Sequence, residues 1–145
     1  MPRLKAAVQI DAPREHVFAL VADPSKLAEW TTFVKEAVVT SGDAKSAGTT
    51  DRMVSKIGPM RNNFEGRWTE FRPGEVFARE FGGYFTGSER ITLTPSDSGT
   101  SVEWSVNYTP PYGLLGKFGA WFMMARIYQN ELEASLENLK KALET

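Results

Sequence analysis

The sequence predicts an α+β fold: a curved antiparallel sheet of seven strands wrapped around one long C-terminal helix, with two short helices after the first strand. Three observations carry this reading. Phe118, Phe122, Ala125, Gln129, Leu132, Leu136, Leu139 and Leu143 recur at alternating spacings of four and three. They place a mostly apolar stripe on one side of a helix running from about 116 to 143, roughly 40 Å long. Ahead of that helix, turn signals separate short alternating segments at Ser41-Gly42-Asp43, Gly58-Pro59, Pro73-Gly74, Gly82-Gly83 and Asp97-Ser98-Gly99. A single helix cannot bury its own stripe. A strongly twisted antiparallel sheet can curve around it, and where sheet and helix part there is room for a cavity.

Each element has its own local cause. Leu4, Ala6, Val8 and Ile10 alternate with Lys5, Ala7 and Gln9, the pattern of a half-buried first strand. Pro13 suits the first turn of a short helix carrying Val17, Phe18 and Val21 inward. Asp23-Pro24 repeats the signal as cap and first helical position, with Leu27 and Trp30 as the inner face of a second short helix. Six further strands follow, at 34–40, 49–57, 60–72, 75–81, 85–94 and 100–109. Thr109-Pro110-Pro111-Tyr112-Gly113 ends the last of them and leads to the long helix.

Composition narrows the function classes. The 145 residues suit one domain, 1–145, large enough to bury a core. A formal net charge of −1 supplies no basic field for a phosphate backbone, so no nucleic-acid partner is expected. The chain has no cysteine and one histidine. Disulfides, thiolate metal sites, His-rich metal sites and Ser-His catalysis therefore lack their residues, and neither a metal nor a cofactor is expected. His16, beside Arg14 and Glu15, reads as a surface side chain. The N-terminus leads straight into strand sequence without an apolar signal core, and the most apolar run, Phe118 to Ala125, is too short to span a bilayer. A cytoplasmic protein, monomer or homodimer, is the expectation.

The order of elements resembles the helix-grip fold of the START/Bet v1-like (SRPBCC) superfamily over nearly the whole chain. The local carriers are Ile10-Asp11-Ala12-Pro13, Val21-Ala22-Asp23-Pro24 through Trp30, Thr69-Glu70-Phe71-Arg72-Pro73, Gly99-Thr100-Ser101-Val102-Glu103-Trp104, and the ending from Leu136 to Glu144. Together they are most similar to the polyketide cyclase/dehydrase-like branch. Members of the superfamily bind lipids, hormones, polyketides or quinones, and some catalyse cyclisation or dehydration, so the resemblance implies a hydrophobic pocket.

Hairpin register predicts which side chains face that pocket, because the side-chain period of a strand is two. Across 97–98, Leu93 opposes Val102, Ile91 opposes Trp104, and Glu89 opposes Val106. Across Pro73-Gly74, Trp68 opposes Arg79 and Glu70 opposes Phe77. Across Gly58-Pro59, Ser55 opposes Asn62 and Met53 opposes Phe64. The predicted inner surface is aromatic, with a polar minority of Ser55, Asn62, Glu70, Arg79 and Glu89. A buried charge without a partner is costly, so Arg79 is expected to pair with Glu70 or Glu89 and to anchor a ligand carbonyl or carboxylate. One β-bulge would reverse the parity. The expected ligand-binding residues are Trp30, Met53, Asn62, Phe64, Trp68, Arg79, Glu89, Trp104, Tyr108, Phe118 and Phe122. No catalytic set is recognisable. The expected function is binding or carriage of a hydrophobic small molecule gated by the loop 109–116. The alternative is a cyclase or dehydratase that orients a flexible substrate by cavity shape, with Glu70 or Glu89 moving protons. A third possibility uses the apolar start of the long helix as a dimer surface.

Overall fold

The computed structural model describes residues 3–109 and 118–144. Seven strands, β1 (Arg3–Ile10), β2 (Val34–Ser41), β3 (Thr50–Ile57), β4 (Met60–Arg72), β5 (Val76–Gly83), β6 (Thr86–Ser96) and β7 (Gly99–Thr109), form one antiparallel sheet in the order β1-β7-β6-β5-β4-β3-β2. Every neighbouring pair except β1–β7 is also consecutive in sequence, so short turns build most of the sheet. Between β1 and β2 lie α1 (Arg14–Val21) and a 3₁₀ turn, Pro24–Lys26, that runs into α2 (Leu27–Trp30). Asp23 caps this turn, accepting hydrogen bonds from the Ser25 amide at 2.9 Å and the Ser25 hydroxyl at 2.7 Å. The long helix, α3 (Phe118–Glu144), lies on the concave side of the sheet and packs chiefly against β1.

The three hairpins from β3 to β7 follow the alternation except at one place, while β2 shifts register against β3 between Val34 and Glu36 and between Val39 and Ser41. Met53 faces Phe64, Trp68 faces Arg79, Ile91 faces Trp104 and Leu93 faces Val102. After Trp68, however, β4 carries an extra residue, so that Glu70 opposes Ala78 and Phe71 opposes Phe77. This bulge turns Glu70 outward, where it takes Arg90 at 2.5 Å and Arg72 at 2.9 Å. Phe71 turns inward to stack on Trp68, with ring centroids 5.6 Å apart. The pairing of Arg79 with Glu70 and the proton-moving role of Glu70 are thereby corrected. Apolar surface gained by Phe71 and solvent kept by a charged Glu70 both favour the bulged register. Gly82 and Gly83 are not a turn either: β5 runs through them, and a Cβ on Gly83 would lie 2.3 Å from the Asn63 carbonyl oxygen.

The helix seam also differs from the predicted stripe. Among the described side chains its buried positions are Met124, Tyr128, Leu132, Ser135, Leu136 and Leu139, whereas Phe122 is 66 % exposed. A strict seven-residue repeat drifts by about 20° per heptad on a straight helix. Extended back from Leu132, the repeat reaches Ala125 and Gln129 instead of Met124 and Tyr128. The first turns of α3 are apolar nearly all round, so spacing there did not select a face. Polar pins hold the helix in register with the sheet: Gln129 Nε2 donates to the Lys5 carbonyl at 2.8 Å, Lys140 Nζ to the Gln9 carbonyl at 2.7 Å, and the Thr32 amide to Ser135 Oγ at 2.9 Å.

Candidate functional site

Between the concave face of β3–β7, the two short helices and the Tyr128 side of α3 lies a small internal cavity. The space open to the centre of a water-sized sphere is about 40 Å³, room for a few waters. Its wall is mostly aromatic and aliphatic. Phe33 stacks on Trp104 with centroids 5.8 Å apart, Trp30 tilts against the same indole at 5.6 Å, and Phe85, from the β5–β6 turn, meets Tyr128 at 6.0 Å. Trp30 is held by its indole N–H, which donates to the Leu20 carbonyl at 3.0 Å and so ties α2 to α1.

One wall is polar and charged. Arg79 on β5 is 3 % exposed and lies between two carboxylates on either side of it in the sheet. Its Nε and Nη2 donate to Asp51 on β3 at 3.0 and 2.7 Å, a two-pronged pair, while Nη1 donates to Glu89 on β6. Two indoles complete the set: Trp68 Nε1 donates to Asp51 Oδ2 at 2.8 Å, and Trp104 Nε1 donates to Glu89 Oε1 at 3.0 Å. The reach from β5 to β3 passes over β4 at Gly66, where a Cβ would lie 2.1 Å from Arg79 Nη2 and 2.6 Å from Asp51 Oδ1. Only a residue without a side chain leaves that gap. Burial works against the guanidinium charge, but Glu89 and Asp51 outweigh it and raise the Arg79 pKa. Burial also pushes the Tyr128 phenol well above its usual range, and Glu89 adds to the shift.

Of the side chains expected at the site, Trp30, Met53, Phe64, Arg79, Glu89 and Trp104 line the cavity. Trp68 is fully buried behind that lining, stacked on Phe71 and bound to Asp51. Tyr108 is fully buried too, packed on Phe85 and Tyr128 at 5.4 Å each, and its hydroxyl has no partner among the described residues. Asn62 is half-buried outside the lining, with its amide nitrogen likewise unpartnered. Phe122 points to solvent for the reason given above, and the Phe118 side chain lies outside the described residues, as does the expected gate beyond Thr109. His16 is exposed.

Sequence reasoning missed Asp51, Phe33, Phe85 and Tyr128. Asp51 was within reach, because it shares the period-two set of Met53, Ser55 and Ile57, all four of them buried. Phe85 was within reach as well, because it shares the parity of Glu89, Ile91 and Leu93 in the predicted strand 85–94, whereas Tyr128 was hidden by the one-residue displacement of the seam.

A curved sheet closed by a long helix over an aromatic-lined space defines a helix-grip protein. The chain belongs to the polyketide cyclase/dehydrase and lipid transport family, whose sequence profile it matches over residues 1–144. No curated protein matches it closely enough to extend that statement. Among solved structures it is similar to the protein TTHA0849 of Thermus thermophilus, at 20 % identity, with a TM-score of 0.83 and 98 % of this chain and 97 % of that one covered. A START superfamily protein of Mycobacterium smegmatis aligns at 14 % identity and a TM-score of 0.81, covering 97 % and 96 %. The Zhui aromatase/cyclase of a Streptomyces species aligns at 15 % identity and a TM-score of 0.81, covering 98 % and 93 %. Among the described residues no helix is long and apolar enough to cross a membrane.

Proposed function

We propose that this protein binds or carries a hydrophobic small molecule, of lipid, polyketide or quinone type, in the cavity between sheet and helix. One observation carries the reading: a mostly apolar cavity walled by aromatic rings, with Arg79 and Glu89 as polar groups on one side. Such a space favours an apolar body and orients it through a few polar contacts. The family's description, which includes both cyclases and lipid transport, agrees with it. The cavity is smaller than the roughly 300–1,000 Å³ of pockets that hold drug-sized ligands, so binding a larger molecule requires the aromatic wall to open.

The alternative, a cyclase or dehydratase, draws on the same two polar side chains. It would use Arg79 against a developing enolate and Glu89 as a proton carrier. The geometry favours binding instead, because Arg79 is held by two carboxylates and both Glu89 oxygens already accept hydrogen bonds. Native mass spectrometry of protein purified from its own host, followed by extraction and identification of any retained molecule, tests the reading directly. Titration with the neutral dye Nile red should quench tryptophan emission, since Trp104 and Trp30 line the space. Protein that arrives empty and leaves both dye and tryptophan emission unchanged would overturn it.

A further inference from the structure

The charged wall is unbalanced. Every partner of the two carboxylates is a donor: the Arg79 guanidinium and the Trp68 indole for Asp51, the guanidinium and the Trp104 indole for Glu89. A protonated carboxyl would need an acceptor, and these contacts offer none, so both are ionised. Two negative charges then share one positive charge. Asp51 takes the two-pronged face of the guanidinium and is wholly buried, at 0 % side-chain exposure. Glu89 holds a single prong and keeps 14 %. The uncompensated charge therefore sits on Glu89, the carboxylate that lines the cavity, and its oxygens retain lone pairs beyond the two bonds they accept.

On the reading that the cavity binds a hydrophobic molecule, we propose that Glu89 determines specificity, selecting apolar ligands whose head group donates a hydrogen bond, an amine or a hydroxyl, and excluding carboxylates. An acid in the cavity would bring a second carboxylate towards Glu89 in a water-poor setting, where like charges repel strongly. The Arg79 charge cannot offset this, because Asp51 and Glu89 already share it. An ammonium group would bring the wall to neutrality, and a hydroxyl would donate to Glu89 without adding charge. The proposal stands against the sequence-based expectation that Arg79 anchors a ligand carbonyl or carboxylate.

Octylamine, 1-octanol and octanoic acid share one chain length and differ in head group. Their binding is measured at pH 7.5 by calorimetry, on the wild-type protein and on Glu89→Gln. The amine and the alcohol should bind, with the acid weaker than the alcohol by at least about tenfold. Glu89→Gln should bring acid and amine to within about threefold of one another, with the alcohol, which loses only a charged acceptor, weakened less than the amine. An acid that binds the wild type as tightly as the alcohol, or an acid-to-amine ratio that Glu89→Gln does not alter, would overturn the proposal and leave the binding reading standing. If none of the three binds, and Nile red does not bind either, the binding reading falls and the proposal with it.

Discussion

At the scale of single residues, the site depends on what Gly66 lacks. Arg79 and Asp51 stand two strands apart, and their two-pronged pair forms over the backbone of β4 where there is no side chain. Gly66→Ala would force the guanidinium off Asp51 and leave that buried carboxylate without its charged partner. The expected cost is on the order of 3 kcal/mol, combining overpacking with a broken buried pair. Urea unfolding measures it. The same substitution in an Arg79→Met background should cost at least about 1 kcal/mol less, because there is no longer a guanidinium to displace. Equal costs in both backgrounds would show that the glycine matters for some other reason.

At the scale of elements, burial decides two departures from simple periodicity, one in β4 and one in α3. The bulge in β4 exchanges an inward Glu70 for an inward Phe71, and the seam of α3 exchanges Ala125 and Gln129 for Met124 and Tyr128. A pair of alanine substitutions separates the true seam from the apparent one. Leu136→Ala, at a position 1 % exposed, should cost about 2–5 kcal/mol through lost burial and the cavity left behind. Phe122→Ala, at a position 66 % exposed, should change stability by no more than about 0.5 kcal/mol. Chemical denaturation of both variants gives the comparison, and a large loss at Phe122 would return that ring to the core.

At the scale of the whole molecule, the interior combines a negative wall with two buried phenols, and stability at high pH should show it. Burial raises the Tyr108 pKa from its usual 10.0 to about 12, and burial, with Glu89 adding to it, raises Tyr128 well above its usual value. Between those limits the unfolded chain releases phenolic protons that the folded chain keeps. The folded state then binds more protons, so stability falls as pH rises, by up to about 1.4 kcal/mol per pH unit for each phenol. The loss should begin near pH 10, and it should be absent below pH 9, where both states keep the proton. Unfolding free energies of the wild type and Tyr128→Phe from pH 8.5 to 11.5 test this, with the variant showing the shallower decline. Parallel curves would mean that the Tyr128 phenol meets water in the folded state.

Much of this protein was legible in its sequence because its strands are joined by tight turns. Once Asp97-Ser98 and Gly58-Pro59 set the register, a period of two assigns Met53, Phe64, Ile91, Leu93, Val102 and Trp104 to the inner face, and each is buried there. The same alternation placed Arg79 and Glu89 on one wall. It predicted that Arg79 pairs with Glu70 or Glu89, because a buried guanidinium needs a carboxylate, and the bulge leaves Glu89. The class of fold followed from the caps at Pro13 and Asp23 and from the helical repeat after Leu132. Three things were decided only in three dimensions. The bulge after Trp68 depends on how Phe71 packs against Phe77 and Phe18, contacts that no local pattern encodes. The rotation of α3 depends on which side of an all-round apolar helix the sheet presents. The partnership of Asp51 with Arg79 spans a strand that pairs with both of theirs, so neither hairpin taken alone contains it. Local spacing sets parity and period, which are properties of one or two strands. The sharing of one positive charge between two carboxylates is a property of three strands meeting, and the balance of charge in the cavity comes from it.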